Sequence, residues 1–282
     1  MSGSAMESRA GDVCFDRASL GRLWAVNVGI EVRRLFARRQ TRGFLGLVLL
    51  SLVPFGMVLV DRGPDTTVEA SAYNEAYAFI FHGLILRFLC FFGCAMVFSH
   101  AIREEQGART LHYSLLIPQP RWLVISGRYA ASVLVVGGVL SGALLASQGA
   151  LWFTVSGTWA DLLIKEKALF FLLAYVVIVW LGVSAYGALF TSMELLFSRP
   201  AIPIALFFGW EWLTFILPPA LKRVGIGYYL HQLAPLSIAE GPWALLGDPL
   251  PIWESLLSLF LITGGWLFVS FRLFGRIELH YD

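Results

Sequence analysis

The chain has 282 residues, of which 57% are hydrophobic and only 14% charged, with a mean hydropathy of +0.71 and a net charge of +2. A water-soluble domain of this length cannot be covered with so few charges, so the composition places the chain in lipid. The small net charge argues against nucleic acid, and the basic residues gather at expected membrane edges.

The first ~40 residues are polar, and no cleavable signal peptide is expected there. Within them Leu20, Leu23, Trp24, Val28, Val32, Leu35 and Phe36 recur at three- and four-residue steps, while Arg22, Arg33, Arg34, Arg38 and Arg39 occupy other faces. That spacing predicts an amphipathic helix suited to the membrane interface. Residues 1–43 are therefore expected to form an N-terminal cytoplasmic segment with an elbow helix, and residues 44–282 an all-α polytopic membrane domain.

A spanning helix needs ~20 mostly apolar residues. Six segments are expected to span: about Phe44–Val60, which is short and carries Pro54, then Tyr77–Phe98, Ala130–Val155, Ala168–Met193, Pro200–Leu217 and Ile252–Phe274. With both termini inside, the inner segments hold 15 of the 21 basic residues and the outer loops 5 (Arg62, Lys165, Lys167, Lys222 and Arg223), Arg87 falling within a span. This bias predicts cytoplasmic termini in a cell inner (plasma) membrane. The outer loop of about 218–251 carries Tyr228, Tyr229, Trp243, Leu245 and Leu246 among Pro and Gly, a composition that fits short helices dipping into the outer leaflet or a cap on the bundle.

Three polar features stand out. Arg87 and Glu211 sit near the middles of the second and fifth expected spans, with His82 one to two turns outward of Arg87. Ionisable groups at that depth are costly unless paired or wetted, so Arg87 and Glu211 are expected either to pair and stabilise the bundle or to line a pathway. Gly138 and Gly142 form a GxxxG that permits close helix packing, within the chain or between copies; Gly182, Ser184 and Gly187 read the same way. The cysteines, Cys14, Cys90 and Cys94, show no metal or disulfide spacing, and no metal site is expected.

Between the second and third expected spans lies a polar stretch of about 99–129, charged with both signs. A short helix from about Ala101 to Gly107 there, with Ile102, Arg103, Glu104 and Glu105, would make a compact element able to dock into a soluble partner. Surface ion pairs contribute only ~0–1 kcal/mol each, so apolar contacts such as Ile102 and Leu111 would have to supply the rest.

This layout resembles the membrane subunit of ABC-2 type transporters. In that family the corresponding loop carries an acidic group, Gly-Thr-Leu, a leucine run, Pro, a basic residue and Gly-Lys. Here Glu104-Glu105, Thr110-Leu111, Leu115-Leu116, Pro118, Arg121 and Gly127-Arg128 match in order; Arg109 stands where the family usually has Gly, and Gly107 lies two residues earlier. The ending Phe271-Arg-Leu-Phe-Gly-Arg276-Ile-Glu278-Leu also looks like the family's. The resemblance implies the permease subunit of an exporter, working as a dimer with a second or related permease. It implies coupling to a cytoplasmic ABC ATPase through Ile102, Arg103, Glu104, Glu105, Gly107, Thr110 and Leu111.

No Gly-Lys-Ser/Thr occurs, so this chain shows no P-loop; ATP and Mg would be bound by the partner subunit, with no cofactor here. The chain is expected not to be an enzyme. Glu104-Glu105 with Arg109 fits the EExxxR of CAAX-protease-like membrane peptidases, but none of His82, His100, His112, His231 and His280 has the Phe four residues earlier that those enzymes use. HExxH and GxSxG are also absent. The alternatives are a secondary carrier, or a membrane anchor for a complex without an ATPase of its own.

Overall fold

The computed structural model describes residues 17–61, 74, 77–99, 120–152, 167–214, 219–236 and 250–275. Among these the chain is helical and contains no strand. In chain order the elements are α1 (Arg17–Ala37), α2 (Arg39–Asp61), α3 (Tyr77–Phe98), α4 (Arg121–Trp152), α5 (Ala168–Leu196), α6 (Ala201–Leu213), α7 (Pro219–Lys222), α8 (Ile226–Gln232) and α9 (Ile252–Gly275). Within α3, Phe81–Cys90 is wound as π-helix and Phe91–Phe98 as α-helix. Sustained π winding is rare, and it carries both His82 and Arg87.

Four helices are long and apolar enough to cross a membrane: Tyr77–Phe98, Trp122–Ala150, Ala168–Leu196 and Ile252–Gly275, with 22 to 29 residues each. Six were expected, and the first and fifth are not among these four. α6 is apolar apart from Glu211 but has only 13 residues, about 20 Å at 1.5 Å per residue against a hydrocarbon core of ~30 Å. Its start is set by Pro200, because the residue before a proline is pushed out of the helical region; Phe197 is already extended (φ −111°, ψ 135°). α2 is not among the four either; its first turn holds Arg39 and Arg42, and its apolar run follows from Gly43.

α5 is the axis of the bundle. It packs against α3, α4 and α9 and also touches α6 and α8. Lys167, in the left-handed region (φ 50°), leads the chain into it. From Ala168 to Met193 it carries no charged residue, and its buried face includes Tyr175, Val179, Val183, Tyr186 and Phe190. Polar groups on this face bond back to the backbone or across to neighbours, as a low-dielectric setting requires. Trp180 Nε1 donates to Ser141 Oγ (3.1 Å), Tyr129 Oη to the Ser184 carbonyl (2.8 Å), and Ser270 Oγ to Ser192 Oγ (3.2 Å).

Glycines mark where helices touch most closely. A Cβ at Gly187 would lie 2.6 Å from the Phe98 ring, and one at Gly93 2.5 Å from the Phe44 ring. Gly182 faces Leu230 and Cys90. The Gly138/Gly142 pair behaves differently, since added Cβ atoms there meet nothing within 4 Å. It is the neighbouring Gly137 that lets Trp180 lie against α4. Gly138→Ala/Gly142→Ala is accordingly expected to leave the melting temperature of the detergent-purified chain unchanged or slightly raised, because alanine favours helix. A fall of several degrees would mean that this notch is filled.

α1 lies along the first half of α4 through a narrow seam. Val28 and Leu35 are buried, Gly127 meets Asn27 and Val28, and Glu31 bonds Arg128 at 3.4 Å with Arg128 only 6% exposed. The expected apolar stripe is only partly used: Leu23, Trp24 and Phe36 are exposed, as are Val26 and Ile30. A single residue, Arg38, separates α1 from α2.

The packing partners define two ends. Phe98, Tyr129, Ser184 and Gly187 meet, as do Gly43 and Met96, and Ile125 clusters with Phe274 and Leu195. The start of α2, the end of α3, the start of α4 and the ends of α5 and α9 therefore share one end. Arg38, Arg39, Arg42, Arg128, Arg199 and Arg272 gather there. Tyr77 Oη and Ser147 Oγ (3.1 Å), with the Tyr77–Tyr175 ring pair, mark the opposite end.

Candidate functional site: a buried carboxylate at the tip of a short helix

Glu211 is the third residue from the end of α6 and is 3% exposed. Its Oε1 accepts from the backbone N–H of Ile226 (2.9 Å) and of Gly227 (3.3 Å), the first two residues of α8. A helix start leaves such N–H groups without intrahelical partners and carries partial positive charge, so a carboxylate there is doubly favoured. Gly225 precedes α8 with extended backbone (φ −82°, ψ 141°). A Cβ at Gly227 would lie 2.7 Å from Glu211 Oε2, so any larger residue there would push the carboxylate aside. Both ends of this contact are buried, with Gly225, Ile226 and Leu230 enclosed by the bundle.

The Tyr186 hydroxyl and Glu211 Oε2 both lie against Gly227, and Arg87 acts on the carboxylate as an opposite charge. The Arg87 guanidinium also lies over the indole of Trp212, 5.8 Å from its centre, within cation–π range. So the structure brings Arg87 and Glu211 into one electrostatic neighbourhood on α3 and α6, with the α8 start between the helices that carry them.

His82 is buried one further stretch along α3, towards the end marked by Tyr77. Its ring stacks on that of His231 at the end of α8 (centroids 3.7 Å apart, planes 16° apart), and its Nε2 lies 3.4 Å from the Leu236 carbonyl. α8 is thus held at both ends, by Glu211 at its start and by His82 at its finish. Sequence reading singled out His82 but had no signal for His231, which is one polar residue in a short helix. The Gly225-Ile-Gly227 spacing ahead of Tyr228-Tyr229-Leu230 was the one available sign of a close approach.

The aromatic residues near this site pack on each other. Phe91 meets Phe207 and Phe208 (6.3 and 5.2 Å between centroids), Phe92 meets Phe208 (4.9 Å), and Phe88 meets Phe92 (4.7 Å). These contacts fasten α6 to α3. Ring pairs of this kind add about 0.5–1.5 kcal/mol each beyond burial. The cysteines Cys90 and Cys94 are buried free thiols in the same helix, and no group of metal-ligating side chains occurs among the described residues.

The second set of expected site residues, Ile102, Arg103, Glu104, Glu105, Gly107, Thr110 and Leu111, lies outside the described residues, as does Cys14. What the structure gives for them is their anchorage: the 100–119 segment joins the end of α3 to the start of α4, at the end where the arginines gather.

Fold and site together define a helical membrane protein, embedded through four long apolar helices. No family model matches the chain, and no curated protein matches it.

Proposed function

We propose that this chain is the permease subunit of an ATP-binding cassette exporter of the ABC-2 type, driven by ATP hydrolysed on a separate nucleotide-binding chain. It works as a dimer with a second or related permease, in a plasma (inner) membrane, with the arginine-rich end and both termini cytoplasmic. The orientation is supported by the charge asymmetry: Arg38, Arg39, Arg42, Arg128, Arg199 and Arg272 at one end against Lys167, Lys222 and Arg223 elsewhere.

The observation that carries the reading is mechanical. The segment whose motif resembles the ABC-2 coupling loop hangs between α3 and α4 at that end, and α1 is fastened to the start of α4 by the enclosed Glu31–Arg128 pair. A soluble subunit pressing on Ile102–Leu111 would load the tips of two core helices at once. The Glu31–Arg128 link would pass the load to α1, and α5, packed on both α3 and α4, would share it. Four long helices then form the moving body, with α2 and α6 flanking it.

Affinity purification from membranes tests this directly. Wild type is expected to bring down an ABC ATPase, and Glu104→Ala/Glu105→Ala/Leu111→Ala to lose it while eluting as the same monodisperse species. Well-folded wild type that recovers no ATPase, and that transports a solute when reconstituted alone, would replace this reading with a secondary carrier. An ATPase that docks without any cargo moving would replace it with an anchor.

A further inference from the structure

The start of α2 and the end of α3 border an open groove of about 660 Å³, lined by Arg39, Gln40, Arg42, Gly43 and Met96. That volume falls in the range of small-molecule sites, about 300–1,000 Å³. Its chemistry is one-sided. Two guanidiniums line it and no acid does, both arginines are exposed, and neither forms an ion pair with a described residue. The remaining wall is soft and apolar, the Met96 terminal methyl reaching to 3.1 Å of where a Gly43 Cβ would stand.

Its position selects the ligand. Arg42 is the last polar residue before the apolar run of α2, so the groove sits where headgroups meet hydrocarbon. From Gly43 the same helical face continues through Gly46, Leu50 and Val53, at steps of three and four. Gly46 has open space over it, and Leu50 is 67% exposed with Leu49 beside it at 66%. A basic cup thus opens directly onto an apolar track that points into the membrane.

We propose that this groove binds an anionic phospholipid. The phosphate sits between Arg39 and Arg42, and one acyl chain lies along Gly46, Leu50 and Val53. Guanidinium is the favoured partner for phosphate, with paired N–H donors matching its oxygens. A free phosphate or soluble nucleotide would satisfy the arginines but leave the track unused. The site depends only on the start of α2 and the end of α3 and stands whether or not the chain couples to an ATPase. A lipid held there would tie those two helix ends to the membrane surface.

The test is binding of short-chain phosphatidylglycerol to the full-length chain in mild non-ionic detergent, followed by native mass spectrometry. Short-chain phosphatidylcholine and glycerol 3-phosphate serve as comparison ligands. Juxtamembrane basic residues contribute ~1 kcal/mol each towards anionic lipid, so phosphatidylglycerol is expected to bind on the order of 10- to 30-fold more tightly than phosphatidylcholine. Arg39→Gln/Arg42→Gln is expected to abolish that preference. Arg22→Gln/Arg33→Gln, which removes the same charge from exposed sites on α1, is expected to keep it. Should the double variant aggregate, Arg39→Gln alone is expected to show part of the loss. Equal binding of the two lipids, or equal loss in the α1 variant, would overturn the site. Glycerol 3-phosphate binding as tightly as phosphatidylglycerol would make it a free-anion site and overturn the lipid assignment.

Discussion

Glu211→Leu is expected to be among the most destabilising single substitutions in this chain, lowering its stability by about 3 kcal/mol. Three losses combine. The N–H groups of Ile226 and Gly227 lose their acceptor in a buried place, the Tyr186 hydroxyl loses a polar neighbour, and Arg87 loses the carboxylate that acts on it. Removing one partner costs more than the pair itself contributes, because the other stays desolvated. Glu211→Gln should be much milder, since its carbonyl oxygen still accepts from α8 while the charge is gone. Thermal unfolding of the purified chain, followed by size exclusion, separates the cases. The expected order of melting temperature is wild type, then Gln, then Leu well below. A Leu variant as stable as wild type would show that the carboxylate does not hold α8. Local hydrogen exchange should report the same event, with the amides of Ile226–Gln232 exchanging faster in the Leu variant than those of α5.

Gly187→Val is expected to disrupt the bundle at its most crowded crossing. Even an alanine Cβ would stand 2.6 Å from the Phe98 ring, nearer than carbon atoms approach, and Phe98 is itself buried against Tyr129. Overpacking of this kind costs typically 1–3 kcal/mol, and a branched side chain belongs at the upper end. Because the obstacle is one ring, Phe98→Leu should relieve Gly187→Ala. The double variant is expected to melt above the sum of the two single losses, the signature of directly coupled neighbours. Strict additivity would place Phe98 away from Gly187. The contrast with Gly138, where a Cβ meets nothing, makes the pair informative: two glycines of similar appearance in sequence, with opposite expected outcomes.

The long helices were legible because a run of more than 20 apolar residues has few other uses in a chain this poor in charge. The fifth expected span shows the limit of that logic. Composition reports that 200–217 is apolar, but the break at Phe197–Pro200 and the 13-residue extent of α6 are properties of local backbone. Arg87 and Glu211 were visible for the reason that intramembrane charges usually are: each interrupts an apolar run. Their use was hidden, because the groups that occupy Glu211 are backbone N–H groups fifteen residues downstream, and backbone carries no sequence signature beyond the glycines that let it approach. Helical glycines posed a similar difficulty. The GxxxG spacing drew attention to Gly138 and Gly142, whereas the contact falls on Gly137, one position and about 100° away around the helix. For residues 100–119 the reading rests on the motif alone, together with where the flanking helices hold its ends.

The short helix α8 has a consequence for passage through the bundle. Its first turn is bonded to Glu211 of α6, its last turn is seated against His82, and it packs against α9, α5 and α3. It is held by two backbone bonds at one end and a ring stack at the other, and lifting it would leave the buried Glu211 carboxylate without those donors. On the proposed permease reading, passage beside Glu211 would have to displace α8 or go round it, and the work for that would come from the ATPase.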